Sequence, residues 1–282
     1  MERLILEKLI KWKQSNHRKP LILKGARQVG KTYILKQFGK ENYEGVAYFN
    51  FDHDKDLYNL FENTKDPKRI LEQLAFIYGK AIIPEKTLII FDEIQECPNA
   101  LNSLKYFQEE ANEYHIACAG SLLGVKLKRT KFPFPVGKVK MLSMYPMDFE
   151  EFLIALNKKM LLDEIRNCFN NNKMMNEALH NLALTYYRYY LICGGMPESV
   201  KNFISVNCDI VKYDSSIKKD IIEAYLKDMK KYVSNLNEAL KIEKVYNSIP
   251  KQISNESKKF QFSKIEKNAK SRDYELPLDW LD

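Results

Sequence analysis

Disulfide chemistry is the first thing this chain lacks. Its five cysteines (Cys97, Cys118, Cys168, Cys193 and Cys208) are odd in number, widely spaced and without a Cys-x-x-Cys pair. That pattern excludes a disulfide framework and a zinc ribbon, and reads as reduced thiols in a cytoplasm. Long apolar runs are missing too: none approaches the length of a membrane span, so no membrane partner is expected. Glu2, Arg3, Glu7 and Lys8 interrupt the N-terminus too early for a signal peptide. No Asn-Lys-x-Asp segment of the kind that reads guanine is present. Disorder is excluded by a composition of 45% hydrophobic and 29% charged residues. What remains is a basic globular chain of 282 residues and net charge +8, long enough for two buried cores. The charge admits an acidic partner such as nucleic acid, but lysine spread over a whole chain is more often a wet surface.

The densest chemistry lies between Leu21 and Thr32. An apolar run (Leu21, Ile22, Leu23) stops at Gly25, and Gly30, Lys31 and Thr32 follow at the G-x-x-x-x-G-K-[ST] spacing of a phosphate-binding loop. Gly25 and Gly30 open backbone angles that let the amides of Ala26, Arg27, Gln28 and Val29 turn onto an anion. Lys31 brings a positive charge to the β and γ phosphates, and the Thr32 hydroxyl is a ligand for Mg²⁺. A helix from about Thr32 to Phe38, with Tyr33 in its first turn, adds the positive end of its dipole. A second segment, Thr87 to Glu93, has four apolar residues followed by two carboxylates, a strand buried on both faces in a parallel sheet. Beside a phosphate loop, Asp92 can hold the Mg²⁺ shell and Glu93 can polarise the water that attacks the γ phosphate. Lys31 and Glu93 are the expected catalytic pair. The alternative for Asp92 and Glu93 is the start of a surface loop.

Elsewhere the pattern alternates. Residues 2–15 carry Ile5, Leu9 and Trp12 at helical spacing. Val46–Asp52 reads as a strand, His115–Ser121 as another, and Val139–Met144 as a weaker one, with helices such as Asn99–Tyr114 between them. Asp52, His53, Asp54 and Asp56 read as a solvated strand end with turn bonding, not a metal site. The expected fold is α/β, a doubly wound parallel sheet with ligands at the carboxyl ends of its strands. Ser121 would lie on that edge as a γ-phosphate sensor or, equally, as a loop-capping serine. Phe132-Pro133-Phe134-Pro135 breaks the pattern, and a helical region starts near Phe149. The aromatic helix Tyr186–Ile192, expected to be core-facing, stops at Gly194-Gly195-Met196-Pro197. After a charged helix over Ser215–Val233, short helices separated by Ser-Ile-Pro and Glu-Leu-Pro carry Lys258, Lys259, Lys264, Lys267, Lys270 and Arg272. Small helices with a basic segment suit a winged helix, with Phe260 and Phe262 alternating on a small strand.

Lys24–Thr32, Phe91-Asp92-Glu93-Ile94-Gln95, Gly120-Ser121, Tyr145–Phe152 and Gly194-Gly195-Met196-Pro197-Glu198 together carry a family resemblance. They resemble prokaryotic AAA-like ATP-binding proteins of the archaeal-ATPase type, which often carry a C-terminal domain of unknown function. The resemblance implies an additional-strand P-loop core over 1–150, a helical subdomain over 151–235, and a winged-helix-like tail over 236–282. It also implies ATP and Mg²⁺ as ligands and ATP hydrolysis as the activity, with a protein or DNA partner through the C-terminal region. The alternatives are a nucleotide-gated switch with little turnover and a P-loop phosphotransferase. Members often continue into a nuclease-like region, so the ending at Leu278–Asp282 reads as a truncation. Lys138 stands after Gly137 where relatives have arginine, so no arginine finger is assigned.

Overall fold

The computed structural model describes residues 1–121, 134–231, 233, 235–254 and 259–281. Short apolar runs bounded by turns form five strands: β1 (Leu21–Lys24), β2 (Gly45–Asn50), β3 (Thr87–Asp92), β4 (His115–Gly120) and β5 (Lys140–Ser143). They pair in the order β2-β3-β4-β1-β5, and every pairing is parallel. β4 therefore stands between the strand that feeds the glycine loop and the strand that ends in Asp92.

Helices cover both faces, which is why all six residues of β3 and all six of β4 are buried. Successive side chains along a strand point to opposite faces, and the two cores divide accordingly. Leu21, Leu23, Leu88, Ile90, Ala117 and Ala119 face α1 (Ile5–Lys13) and α2 (Lys31–Asn42) through Leu9, Trp12, Ile34, Leu35 and Phe38. Ile22, Ile89, Phe91 and Cys118 face α3 (Asp56–Asn63), α4 (Pro67–Tyr78) and α5 (Pro98–Glu110). In that second core Phe91 meets Phe51 and Phe61 at ring separations of 5.6 and 5.7 Å. Local signals set helix ends: the Asp66 carboxylate accepts the Lys68 amide, Pro67 opens α4, and Gly79 closes it at φ 75°. Asp52 and His53 donate their amides to Asn50 Oδ1, so the acidic cluster begins in a bonded turn.

His115 opens β4 only 3% exposed, with its Nδ1 2.7 Å from the Tyr43 hydroxyl and its ring centre 6.1 Å from that of Trp12. Burial, reinforced by the charges of Arg18 and Lys13, pushes its pKa from 6.5 down to about 4. The unfolded chain therefore binds this proton first as pH falls. The stability it contributes is complete above pH 6.5 and is lost on the way down to pH 4, at most about 3 kcal/mol for this one group. Melting curves should fall more steeply from pH 7 to 4.5 in the unmodified protein than in His115→Gln. An identical slope would remove His115 from the acid response.

A helical section follows β5 with α6 (Phe149–Ala155), α7 (Lys159–Asn170), α8 (Glu177–Cys193) and α9 (Pro197–Ser205). The Asp148 side chain caps α6 by accepting the Glu151 amide at 2.8 Å. Phe152, Val200, Phe203 and Tyr213 form its core, with Tyr186, Tyr189 and Tyr190 packed against them. Tyr187 and Leu191 of the same helix stay 45% and 65% exposed, so the aromatic stretch is only partly core.

The chain divides into two compact units, Met1–Tyr213 and Asp214–Asp282. The second is helical: α10 (Ser216–Lys231), α11 (Leu236–Ile253), a 3₁₀ turn at Phe262–Lys264, and α12 (Ser271–Leu281). Two expectations are corrected here. Pro250 and Pro277 do not separate helices; each lies inside one, in α11 and α12. Proline at 277 cannot donate to the carbonyl of Asp273 four residues back, and Lys241 Nζ donates to that carbonyl at 3.1 Å instead. Nor do Phe260 and Phe262 form a strand. The Gln252 side-chain amide donates to the carbonyl of Gln261 and accepts its N–H, so this backbone is bonded to a side chain and not to a neighbouring strand. Lys258, expected in the tail's basic segment, lies outside the described residues. None of the five cysteines forms a disulfide. Among the described residues no helix is long and apolar enough to cross a membrane.

Candidate functional site

The carboxyl edge of the sheet gathers the chemistry. β1 ends at Lys24 beside β5, whose end lies so close that a Cβ on Gly25 would sit 2.1 Å from the Met144 carbonyl oxygen. Only glycine fits, and the loop can leave the strand there. It passes exposed Ala26 and Gln28, half-buried Arg27 and buried Val29, then enters α2 through Gly30 at φ 96°. Gln28 also has positive φ, 62°. Tyr33, in the first turn of α2, is 59% exposed.

Lys31 is only 7% exposed. Its Nζ donates to the carbonyls of Gly25 and Ala26 at 2.9 and 2.7 Å, so the ammonium is held within the loop. Burial lowers its pKa, the Glu93 and Asp92 carboxylates raise it, and Arg27 lowers it; the net direction is downward. Thr32 Oγ1, in the first turn of α2, donates to Asp92 Oδ2 at 2.9 Å at the end of β3. The Tyr48 hydroxyl on β2 donates to the same oxygen at 2.7 Å, and burial followed by that bond pushes Tyr48 up to about 12. Lys36 Nζ lies 3.3 Å from the centre of the Tyr48 ring.

Asp92 and Glu93 are adjacent in sequence but have different partners. Glu93 adopts φ 50°, ψ 44°, which turns the chain out of β3. Its Oε2 accepts the Ser121 hydroxyl at 3.0 Å and also the Gln95 side-chain amide. Ser121 and Gln95 are buried, and Gln95 Oε1 has no partner among the described residues. Thr32 is bonded to Asp92 and Ser121 to Glu93, whose amide donates to Asp92 Oδ1 at 3.1 Å, and both carboxylates act on the Lys31 charge. Sequence reasoning missed Tyr48, whose only signal was its place on the strand beside Asp92. Gln95 stood in the family motif without an assigned role.

The donor set suits Mg²⁺. A hydroxyl and a carboxylate oxygen 2.9 Å apart are hard oxygen donors, and an octahedral ion that keeps several waters requires few protein ligands. Among the described residues no group of three or more His, Cys, Asp or Glu side chains could hold a metal by itself. Lys138, at the position considered for an arginine, pairs with Glu109 at 2.7 Å.

Residues 17–153 match the family described as AAA domain, and residues 184–282 match a domain of unknown function. An uncharacterised protein of Methanocaldococcus jannaschii is 25% identical over 231 residues, 79% of this chain and 44% of that protein. The chain thus spans less than half the length of this curated relative. AMPPCP-bound DnaA from Aquifex aeolicus superposes with a TM-score of 0.41 at 13% identity, covering 99% of this chain and 86% of that one. The ADP form of the Aeropyrum pernix ORC2 protein gives 0.42 at 14% identity, with 98% and 83% covered.

Proposed function

We propose, from the match of residues 17–153 to the AAA domain and of residues 184–282 to a domain of unknown function, that the chain is an AAA-like P-loop protein of the archaeal-ATPase type and a Mg²⁺-dependent ATP hydrolase. The observation that carries the reading is the 2.9 Å contact of Thr32 with Asp92, beside a buried Lys31, while Glu93 is held separately by Ser121. In this reading the amides of Gly25–Thr32 and the Lys31 ammonium hold the β and γ phosphates, and Tyr33 flanks the nucleotide. Thr32 and Asp92 would hold Mg²⁺, which would supply charge neutralisation at the phosphates. Glu93 orients a water and accepts its proton as the water oxygen bonds to the γ phosphorus. The bond from that phosphorus to the bridging oxygen breaks, and ADP leaves with that electron pair. Ser121, already bonded to Glu93, is placed to report the γ phosphate to it. Reduced thiols support a cytoplasmic setting.

Single-turnover hydrolysis of ATP, with and without candidate phosphate acceptors, tests the assignment. Inorganic phosphate formed without an acceptor supports a hydrolase. Tight binding without turnover would leave a nucleotide-gated switch, and label transferred to an acceptor would make the protein a phosphotransferase.

Nucleotide state would then act on the helical C-terminal half and its partner. Over 251–272 seven basic residues (Lys251, Lys258, Lys259, Lys264, Lys267, Lys270, Arg272) face two acidic ones (Glu256, Glu266). Glu266 is bonded to Lys244 and Tyr274. If duplex DNA is the partner, log affinity should fall with log salt by roughly 0.9 per phosphate contacted. Changing Lys264, Lys267 and Lys270 together to Glu should remove most of that binding and leave ATP affinity intact. No duplex binding at low salt would make the tail a protein-docking element.

A further inference from the structure

Arg3 lies outside every motif that marks the site, yet its side chain reaches the phosphate loop. The side chain is 6% exposed; its two terminal nitrogens each donate to a backbone carbonyl, and Nε is ion-paired without an aligned hydrogen bond. Nη1 donates to the Val29 carbonyl at 2.8 Å, and Nη2 to the Tyr145 carbonyl at 2.6 Å. Nε lies 3.0 Å from Glu151 Oε2. Glu151 is itself buried; its Oε1 accepts the Leu4 amide at 2.8 Å, and its own amide is fixed on Asp148. One planar cation therefore joins three segments: the chain entering α1, the loop just before Gly30, and the start of α6. Lysine could not do this, because a single ammonium cannot span three separated acceptors in a rigid fork.

The bond to Val29 has a directional consequence. Across a trans peptide the carbonyl of one residue and the N–H of the next point in opposite directions. With the Val29 oxygen drawn onto Arg3, the Gly30 N–H is turned away from Arg3. A peptide flip there would cost the guanidinium a buried acceptor, and an unmet buried charge is expensive.

We propose that Arg3 is a positioning residue for phosphate binding: by holding the Val29 carbonyl it aims the Gly30 amide at the nucleotide, and Glu151 fixes Arg3. The proposal rests on the nucleotide reading given above. It makes Asp148–Glu151, which follows the sheet, part of the apparatus that sets the loop.

Two variants test it: Arg3→Lys, and the double change Arg3→Met with Glu151→Met, which replaces the buried pair by apolar side chains and leaves no lone charge. The probes are ATP, ADP and inorganic pyrophosphate, with ¹⁵N-glycine labelling to follow the Gly30 amide and melting curves to select folded protein. Affinity for all three probes should fall by a common factor of about ten to a hundred. The Gly30 resonance, which should move on adding pyrophosphate to the unmodified protein, should move little in either variant. A packing role alone would change melting and leave that resonance responsive. Folded variants that bind within twofold of the unmodified protein, with the same Gly30 shift, would overturn the role of Arg3 and leave the nucleotide reading standing. Unmodified protein that binds none of the probes would instead overturn that reading, and this proposal with it.

Discussion

Lys31→Ala should lose about a hundredfold in ATP affinity and still fold. The charge-assisted contact it removes is worth about 2–3 kcal/mol against a phosphate, which converts to that factor. Lys31 is the loop's buried cation, 7% exposed and held on the Gly25 and Ala26 carbonyls. Burial already disfavours its charged form, and Asp92 and Glu93 offset only part of that cost. Removing it leaves those two carbonyls at a loop that Gly25 keeps open, where water can replace the ammonium. The surrounding packing of Ile34, Leu35 and Phe38 is untouched. Titration with a fluorescent ATP analogue, alongside a melting curve, gives the answer. Unchanged affinity in the folded variant would mean that nucleotide binds elsewhere.

Glu93→Gln should bind Mg-ATP normally and turn over slower by about 10² to 10⁴, the usual contribution of a placed general base. The amide keeps the shape and can still accept from Ser121, but it cannot take a proton. Asp92→Asn should behave differently, because Asp92 is bonded to Thr32 and Tyr48. Its loss should appear as weaker Mg²⁺ dependence of nucleotide binding. Binding and single-turnover rates measured across a Mg²⁺ titration separate the two. Equal loss of binding in both variants would mean that the carboxylates share one metal role.

The parts of this site legible in the sequence are those whose geometry is local. Gly25, Gly30, Lys31 and Thr32 declare a loop because each residue type answers a constraint set within eight residues. Four apolar residues ahead of Asp92 declare a doubly covered strand for the same reason. The insertion of β4 between β1 and β3 was not legible as an order, since it depends on pairing Leu21 with Ala117 and Leu88 with His115. Arg3 was read only as a charge that interrupts a leader. Its partners at Val29 and Tyr145 are 26 and 142 residues away, and no periodicity reports such a contact. The prolines at 250 and 277 misled because helix-breaking rules count backbone bonds. In the tail, a lysine from another helix met the acceptor that Pro277 could not. The wing expected around Phe260 failed for a related reason, a glutamine taking the bonds a strand would have made.

Glu93 stands in left-handed backbone, φ 50° and ψ 44°, at a turn that glycine would make without a penalty. A side chain there costs about 1–2 kcal/mol. Selection for heat resistance alone would therefore drift this position toward glycine and raise the melting point. On the reading proposed here the same drift would silence the protein, because the residue lost is the one that activates water. Hardiness and turnover are opposed at a single codon, and a stabilised descendant should be checked there first.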